Sequence, residues 1–135
     1  MEMNLKTAQI MVAKAVEKAT VEFKRPICVS VCDKAGFLIA FNRVEGGHMR
    51  SIDISQAKAY TAARMGVNTD AFLARLQREQ LAINYFCDTK MTALPGGAVI
   101  KDAAGNVLGG VGVAGLKAEE DQAVAQELAE LVKGF

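Results

Sequence analysis

Two short phrases restrict this chain more than anything else in it. Asp33-Lys34-Ala35-Gly36 and Asp102-Ala103-Ala104-Gly105 share the pattern D-x-A-G, and each lies between two apolar runs. An aspartate that turns the backbone on its own side chain, followed by a glycine free to take positive φ, is the chemistry of a tight hairpin. Before the first turn runs "ICVSVC" (27–32), β-branched at alternate positions, and after it "FLIAF" (37–41). Around the second run "AVIK" and "NVLGGVGVAG". Two hairpins of the same build predict one antiparallel sheet. In the first strand Cys28, Ser30 and Cys32 share a face and are small enough to lie beneath a helix.

The segments between and around the hairpins carry helical spacing. Leu5, Ala8, Val12, Ala15, Val16, Ala19 and Phe23 mark one face of a helix expected over Leu5–Val21, capped by Asn4 and ended by Pro26. Two more helices are expected near 52–67 and 70–83, followed by a loop carrying "ALPGGAV". The last should start at Ala118, with Val124, Leu128, Leu131 and Val132 inward and Glu119, Glu120 and Asp121 in its first turn, where the helix dipole favours negative charge. The predicted order is α-β-β-α-α-β-β-α, an α/β (α+β) sandwich of helices on an antiparallel sheet, in a single domain over 1–135.

Gly110, Gly112 and Gly115 spell G-x-G-x-x-G, the phrase of a dinucleotide loop. That loop needs a parallel βαβ unit and an acidic residue about 20 positions further on, and the sequence stops at Phe135. No G-K-[ST] occurs either. The reading that remains places Gly110 and Gly112 inside a strand, where missing side chains admit close approach, with Gly115 as the exit turn.

Composition narrows the class further. Apolar residues at 51% and charged residues at 23% are a globular balance. A net charge of +1 without like-charge blocks does not suit nucleic acid. Cys28, Cys32 and Cys87 form no C-x-x-C and read as small buried residues of a reducing compartment. Lys14, Glu17 and Lys18 interrupt the first helix, so neither a signal peptide nor a membrane span is read there, and the expectation is a cytoplasmic protein.

The polar stretch "NRVEGGHMRSIDISQAKAY" (42–60) is the densest candidate site, a strand end entering a helix. Arg43 and Arg50 suit bidentate grip on a carboxylate or haem propionate, against the alternative of surface arginines. His48, the single histidine, reads as an axial ligand, a proton shuttle or an exposed side chain. Ser51 or Asp53 is expected to cap the helix. Lys58 falls in the middle of an apolar stripe with Ile54, Thr61 and Met65, so it must reach a carboxylate, reach a ligand anion or snorkel. Met11, Met49, Met65 and Met91 are haem-contact candidates that also suit core filling. Cys87, after Tyr85-Phe86, is a pocket-lining candidate for which burial in the core is the plainer reading. Ser51, His48 and Asp53 do not make a triad, since all lie within six positions and none sits on a G-x-S-x-G elbow.

The chain resembles the GlcG/HbpS family of haem-binding-type domains, also found at the C-terminal end of PduO-type corrinoid adenosyltransferases. The carrying residues are "NLKTAQ", "VCDKAGFLIAFNRVEGG" (31–47), "SIDISQAKAYTA" (51–62), "LPGG" (94–97) and "GNVLGGVGVAG…EED" (105–121). The resemblance implies a profilin-like sandwich that assembles into homo-oligomers. The family continues its double glycine into proline, where this chain has Ala98, and has proline where Ala118 stands. The leading expectation is a binding domain for haem, another tetrapyrrole or a small anionic metabolite. Its candidate ligand residues are Arg43, Glu45, His48, Arg50, Asp53, Lys58, Gly96, Gly97 and Gly115, with His48 as a candidate haem axial ligand. Two rivals stand beside it: a cofactor-free isomerase, tautomerase or hydrolase using His48 or Lys58, and an accessory protein of a metabolic operon.

Overall fold

The computed structural model describes residues 2–134. Helix α1 (Leu5–Lys18) is capped by Asn4, whose Oδ1 accepts the Thr7 N–H at 2.9 Å. It ends earlier than expected. A π-helical turn over Ala19–Phe23 follows, and Lys24 closes it at φ 54°, two residues before Pro26. Leu5 is exposed, and Met11 is fully buried in the core.

Strands β1 (Cys28–Asp33) and β2 (Leu38–Arg43) form the first hairpin, and β3 (Gly97–Lys101) and β4 (Val107–Ala114) the second. The turns are near copies. Asp33 Oδ1 accepts the Ala35 and Phe37 N–H groups, and Asp102 Oδ1 accepts those of Ala104 and Asn106. Gly36 and Gly105 take φ 93° and 88°. Antiparallel pairing of β1 with β4 joins the hairpins into one sheet, ordered β2-β1-β4-β3. Between the hairpins lie α2 (Arg50–Met65) and α3 (Thr69–Glu79), then a 3-10 turn over Ile83–Phe86. Helix α3 stops short of the expected 83, because Gln80 turns left-handed at φ 54°. The chain closes with α4 (Ala118–Leu131) and a 3-10 turn, Val132–Gly134.

The sheet divides two unequal layers. On one face α1 and α4 enclose the main apolar core, with Met11, Ile27, Val29, Val31, Ile100 and Leu128 wholly inside. On the other, α2 lies directly on β1 and β4 with almost nothing between. Cys32 meets Ala59 and Ala63 there, and Ser30 Oγ bonds Ser55 Oγ at 2.8 Å. The glycines of β4 explain the closeness. A Cβ on Gly110 would fall on Ala59 O, and one on Gly112 on Ser55 O, so helix backbone rests on strand backbone. The small face of β1 and the strand glycines are thus one device, seating α2.

Candidate functional site

Seating α2 this closely drives Lys58 into the protein. The residue is 3% exposed, and Nζ donates to Val113 O at 2.8 Å and to Asp121 Oδ2 at 3.3 Å. Of the alternatives for this lysine, the structure realises the carboxylate. Asp121 Oδ1 also accepts the Leu116 N–H at 3.0 Å, so one carboxylate holds both the lysine and the turn leaving β4. Burial lowers the Lys58 pKa, against the pull of Asp121. Burial likewise pushes Asp121 up to about 6, against the same pairing.

The "LPGG" loop closes over this pair. A Cβ on Gly96 would come within 2.6 Å of Lys58 Nζ, and one on Gly97 within 2.6 Å of Thr69 Cγ2. Gly96 N–H donates to Gln122 Oε1 at 2.6 Å, Gly97 N–H to Thr69 Oγ1 at 2.8 Å, and Gln122 Nε2 to Gly97 O at 2.9 Å. Gln122 is itself buried. Every buried side-chain nitrogen and oxygen among the described residues has a partner. Gly96 and Gly97 therefore make room behind the lysine.

In front of the pair opens a cleft of about 280 Å³. Lys58, Asp121 and Ser51 line its buried floor, and Ile54, Leu94, Pro95 and Leu116 give it apolar walls. Exposed Arg25, His48 and Arg50 line its rim. The structure thus joins His48, Arg50, Lys58 and Gly115 of the expected site. Gly96 and Gly97 pack against the lysine without lining the cleft, and the remaining three lie elsewhere. Arg43 ends β2 opposite Cys28, and Glu45 is exposed in the following turn; neither lines the cleft. Asp53 lies on the opposite flank of α2, in a separate cavity.

Other expectations change as well. Neither Ser51 nor Asp53 caps α2. Met49 enters in helical conformation (φ −60°, ψ −36°) and the helix has no side-chain cap, which puts both residues inside its first turn. Cys28 and Cys32 are buried as read, but Cys87 is exposed beside an exposed Tyr85. Of the four methionines considered, Met11 is in the core and Met49 is 77% exposed. Arg25, Asp121 and Gln122 were not singled out from the sequence as site residues. For Asp121 a signal existed, since a lysine within an apolar stripe requires a buried acceptor somewhere.

The fold and cleft define a small α/β sandwich with one cation-rimmed opening above a buried lysine–carboxylate pair. The chain belongs to the HbpS-like family: the family model for haem degrading protein HbpS-like matches residues 3–130. A 15.0 kDa protein encoded in the dhaT-dhaS intergenic region of Citrobacter freundii is 32% identical over 118 residues, 84% of this chain and 81% of that protein. The crystal structure of Klebsiella pneumoniae ORFY superposes with a TM-score of 0.87 at 28% identity, over 100% of this chain and 94% of the other. A double mutant of Streptomyces reticuli HbpS gives 0.87 at 26%, over 98% and 88%. The PduOC:heme complex shares the fold, with a TM-score of 0.84 at 23% identity over 96% and 94%.

Proposed function

We propose that this chain is a small-ligand-binding domain whose cleft takes the carboxylate-bearing edge of its ligand, haem or a related tetrapyrrole foremost. The observation that carries the reading is the convergence of Arg25, His48 and Arg50 on one rim above apolar walls. The donor set fits haem in kind: two guanidinium groups suit propionates, and His48 offers an imidazole beside them. Haem, if bound, would supply the iron chemistry; Arg25 and Arg50 would hold its carboxylates and His48 would offer an imidazole nitrogen. The family and the haem carried by PduOC support the same reading.

A second reading has its own support. At about 280 Å³ the cleft lies just under the usual size of ligand sites, roughly 300–1,000 Å³, so it encloses a small carboxylate metabolite more fully than a macrocycle. A proton-moving role for Lys58 has less support, because its nitrogen is already engaged by Val113 O and Asp121. Homo-oligomer assembly, implied by the resemblance, belongs to this proposal. Exposed Leu5, Ile10 and Val21 offer apolar surface for it.

Titration with haemin, following the Soret region, tests the proposal. A saturable band that disappears in His48→Ala and weakens in Arg25→Ala/Arg50→Ala is the expected result. Absence of a specific band overturns the haem reading, and calorimetry with small carboxylates then tests the second.

A further inference from the structure

A second cavity lies on the other flank of α2. Its volume is about 430 Å³. One wall is the α2 ladder of Asp53, Gln56, Ala57 and Tyr60, spaced so that all four share a side of the helix. The facing wall is the hairpin turn with Phe37 and Leu38, which are 69% and 50% exposed. Cys32 lies at the base, 2% exposed, and burial pushes its thiol up to about 12, so it presents apolar surface rather than a nucleophile. The cavity depends on Gly36. A Cβ there would come within 2.5 Å of Tyr60 Cδ2, so glycine lets the hairpin lie against the ring.

Charge is distributed unequally along this cavity. At the Tyr60 end, Arg64 and Lys90 sit over the ring at 5.3 and 5.8 Å from its centroid. Asp88 accepts the Tyr60 hydroxyl at 2.6 Å, and that hydrogen bond first, then the charges of Arg64 and Lys90, hold its carboxyl below the ordinary value, so the cations there are already faced by a carboxylate. At the other end, about two helical turns away (~10 Å), the Asp53 carboxylate has no hydrogen-bond or ion-pair partner among the described residues. An apolar slot with a countered cationic end and an uncountered anionic end selects a ligand by charge.

We infer that this cavity is a second binding site, separate from the arginine-rimmed cleft, for an amphipathic organic amine. Its apolar body lies between Phe37, Leu38 and Tyr60, and its ammonium group pairs with Asp53. Asp88 already faces the cations above Tyr60, so the unpartnered Asp53 carboxylate fixes the orientation.

Titration of the isotope-labelled full chain with 4-phenylbutylamine, followed by amide chemical shifts, tests this, with 4-phenylbutyrate as the charge-reversed control. Saturable shifts at Gly36, Phe37 and Ala57 are expected with the amine and not with the acid. Asp53→Asn weakens binding about fivefold, as loss of an exposed ion pair of ~1 kcal/mol implies. Ala57→Trp fills the slot and abolishes the shifts. If that variant loses the folded spectrum, Leu38→Trp from the facing wall makes the same test. Arg50→Ala leaves amine binding unchanged, which separates this site from the other cleft. Equal binding of the acid, shifts that survive the filled slot, or no saturable shift would each overturn the inference.

Discussion

Lys58 Nζ and Asp121 Oδ2 stand 3.3 Å apart, with 3% and 4% of their residues exposed, and the pair links α2, β4 and α4 at one point. Two charges taken this far from water gain little over a well-packed apolar pair, yet either charge left alone is costly. The pair is therefore a fastening whose halves depend on each other.

Lys58→Met should destabilise the protein by about 3–5 kcal/mol near pH 8, where Asp121 remains ionised without a partner. Near pH 5 the loss should be smaller, because Asp121, already raised to about 6 and now without its cation, takes up a proton. Lys58→Met/Asp121→Leu should recover most of the loss. Urea unfolding of the two variants at both pH values checks this.

The same pair gives a pH profile with a defined sign. Between the unfolded carboxyl value of 3.8 and about 6, the folded state binds the extra proton on Asp121, so this group's contribution to stability falls as pH rises. The size is on the order of 2–3 kcal/mol. Lys58, lowered from 10.5, acts the other way: the unfolded state holds its proton longer, and stability recovers as pH climbs toward 10.5. Subtracting the profile of Asp121→Asn from that of the wild type, by thermal unfolding across pH 4–7, isolates the acid limb.

How much of this was legible from residues alone follows from where the deciding contact lies. The hairpins were readable because Asp33 and Asp102 bond to amides two and four positions on, within the phrase and the residue that follows it. The small face of β1 was readable because a period of two needs no partner to be recognised. Asp121 was not. It follows Glu119 and Glu120, both in the helix's first turn, and only Lys58, 63 positions earlier, makes it a buried pair. The start of α2 was missed for the opposite reason: Ser51 and Asp53 are good caps, but the His48 turn already carries the chain into helix, with Ser51 N–H donating to His48 O at 3.0 Å. Asp53 lines a different cavity from Arg50, because proximity in sequence says nothing about which flank of a helix a residue occupies.

Glycines of β4 and of the turns should respond differently to alanine. Gly112→Ala places a Cβ on Ser55 O and 2.9 Å from Lys58 Cβ, so α2 must lift; about 1–3 kcal/mol or more is expected. Gly105→Ala meets nothing within 4 Å and bears only the strain of φ 88°, about 1 kcal/mol. Denaturant midpoints of the two variants, compared at equal m-value, distinguish crowding from strain.

Ser30 and Ser55 form a buried couple whose hydroxyls bond at 2.8 Å, with Ser55 Oγ also donating to Ile52 O at 3.1 Å. Ser55→Ala strands the Ser30 hydroxyl and should cost about 1–3 kcal/mol. Ser30→Ala/Ser55→Ala should be less than additive, since the second change removes the stranded group. A double-mutant cycle in urea measures the coupling.

Helix α2 has the proposed amine site on one flank and the arginine-rimmed cleft on the other. Because it rests on bare backbone at Gly110 and Gly112 of β4 and on only small side chains of β1, it has little room to slide. It behaves as a straightedge: each opening is ruled from the same line, and the offset between them is set by the backbone of the sheet rather than by the apolar residues of the main core. Homologues that repack the apolar layer beneath α1 and α4 would keep that offset, whereas a single side chain added along the glycine track would move both openings at once.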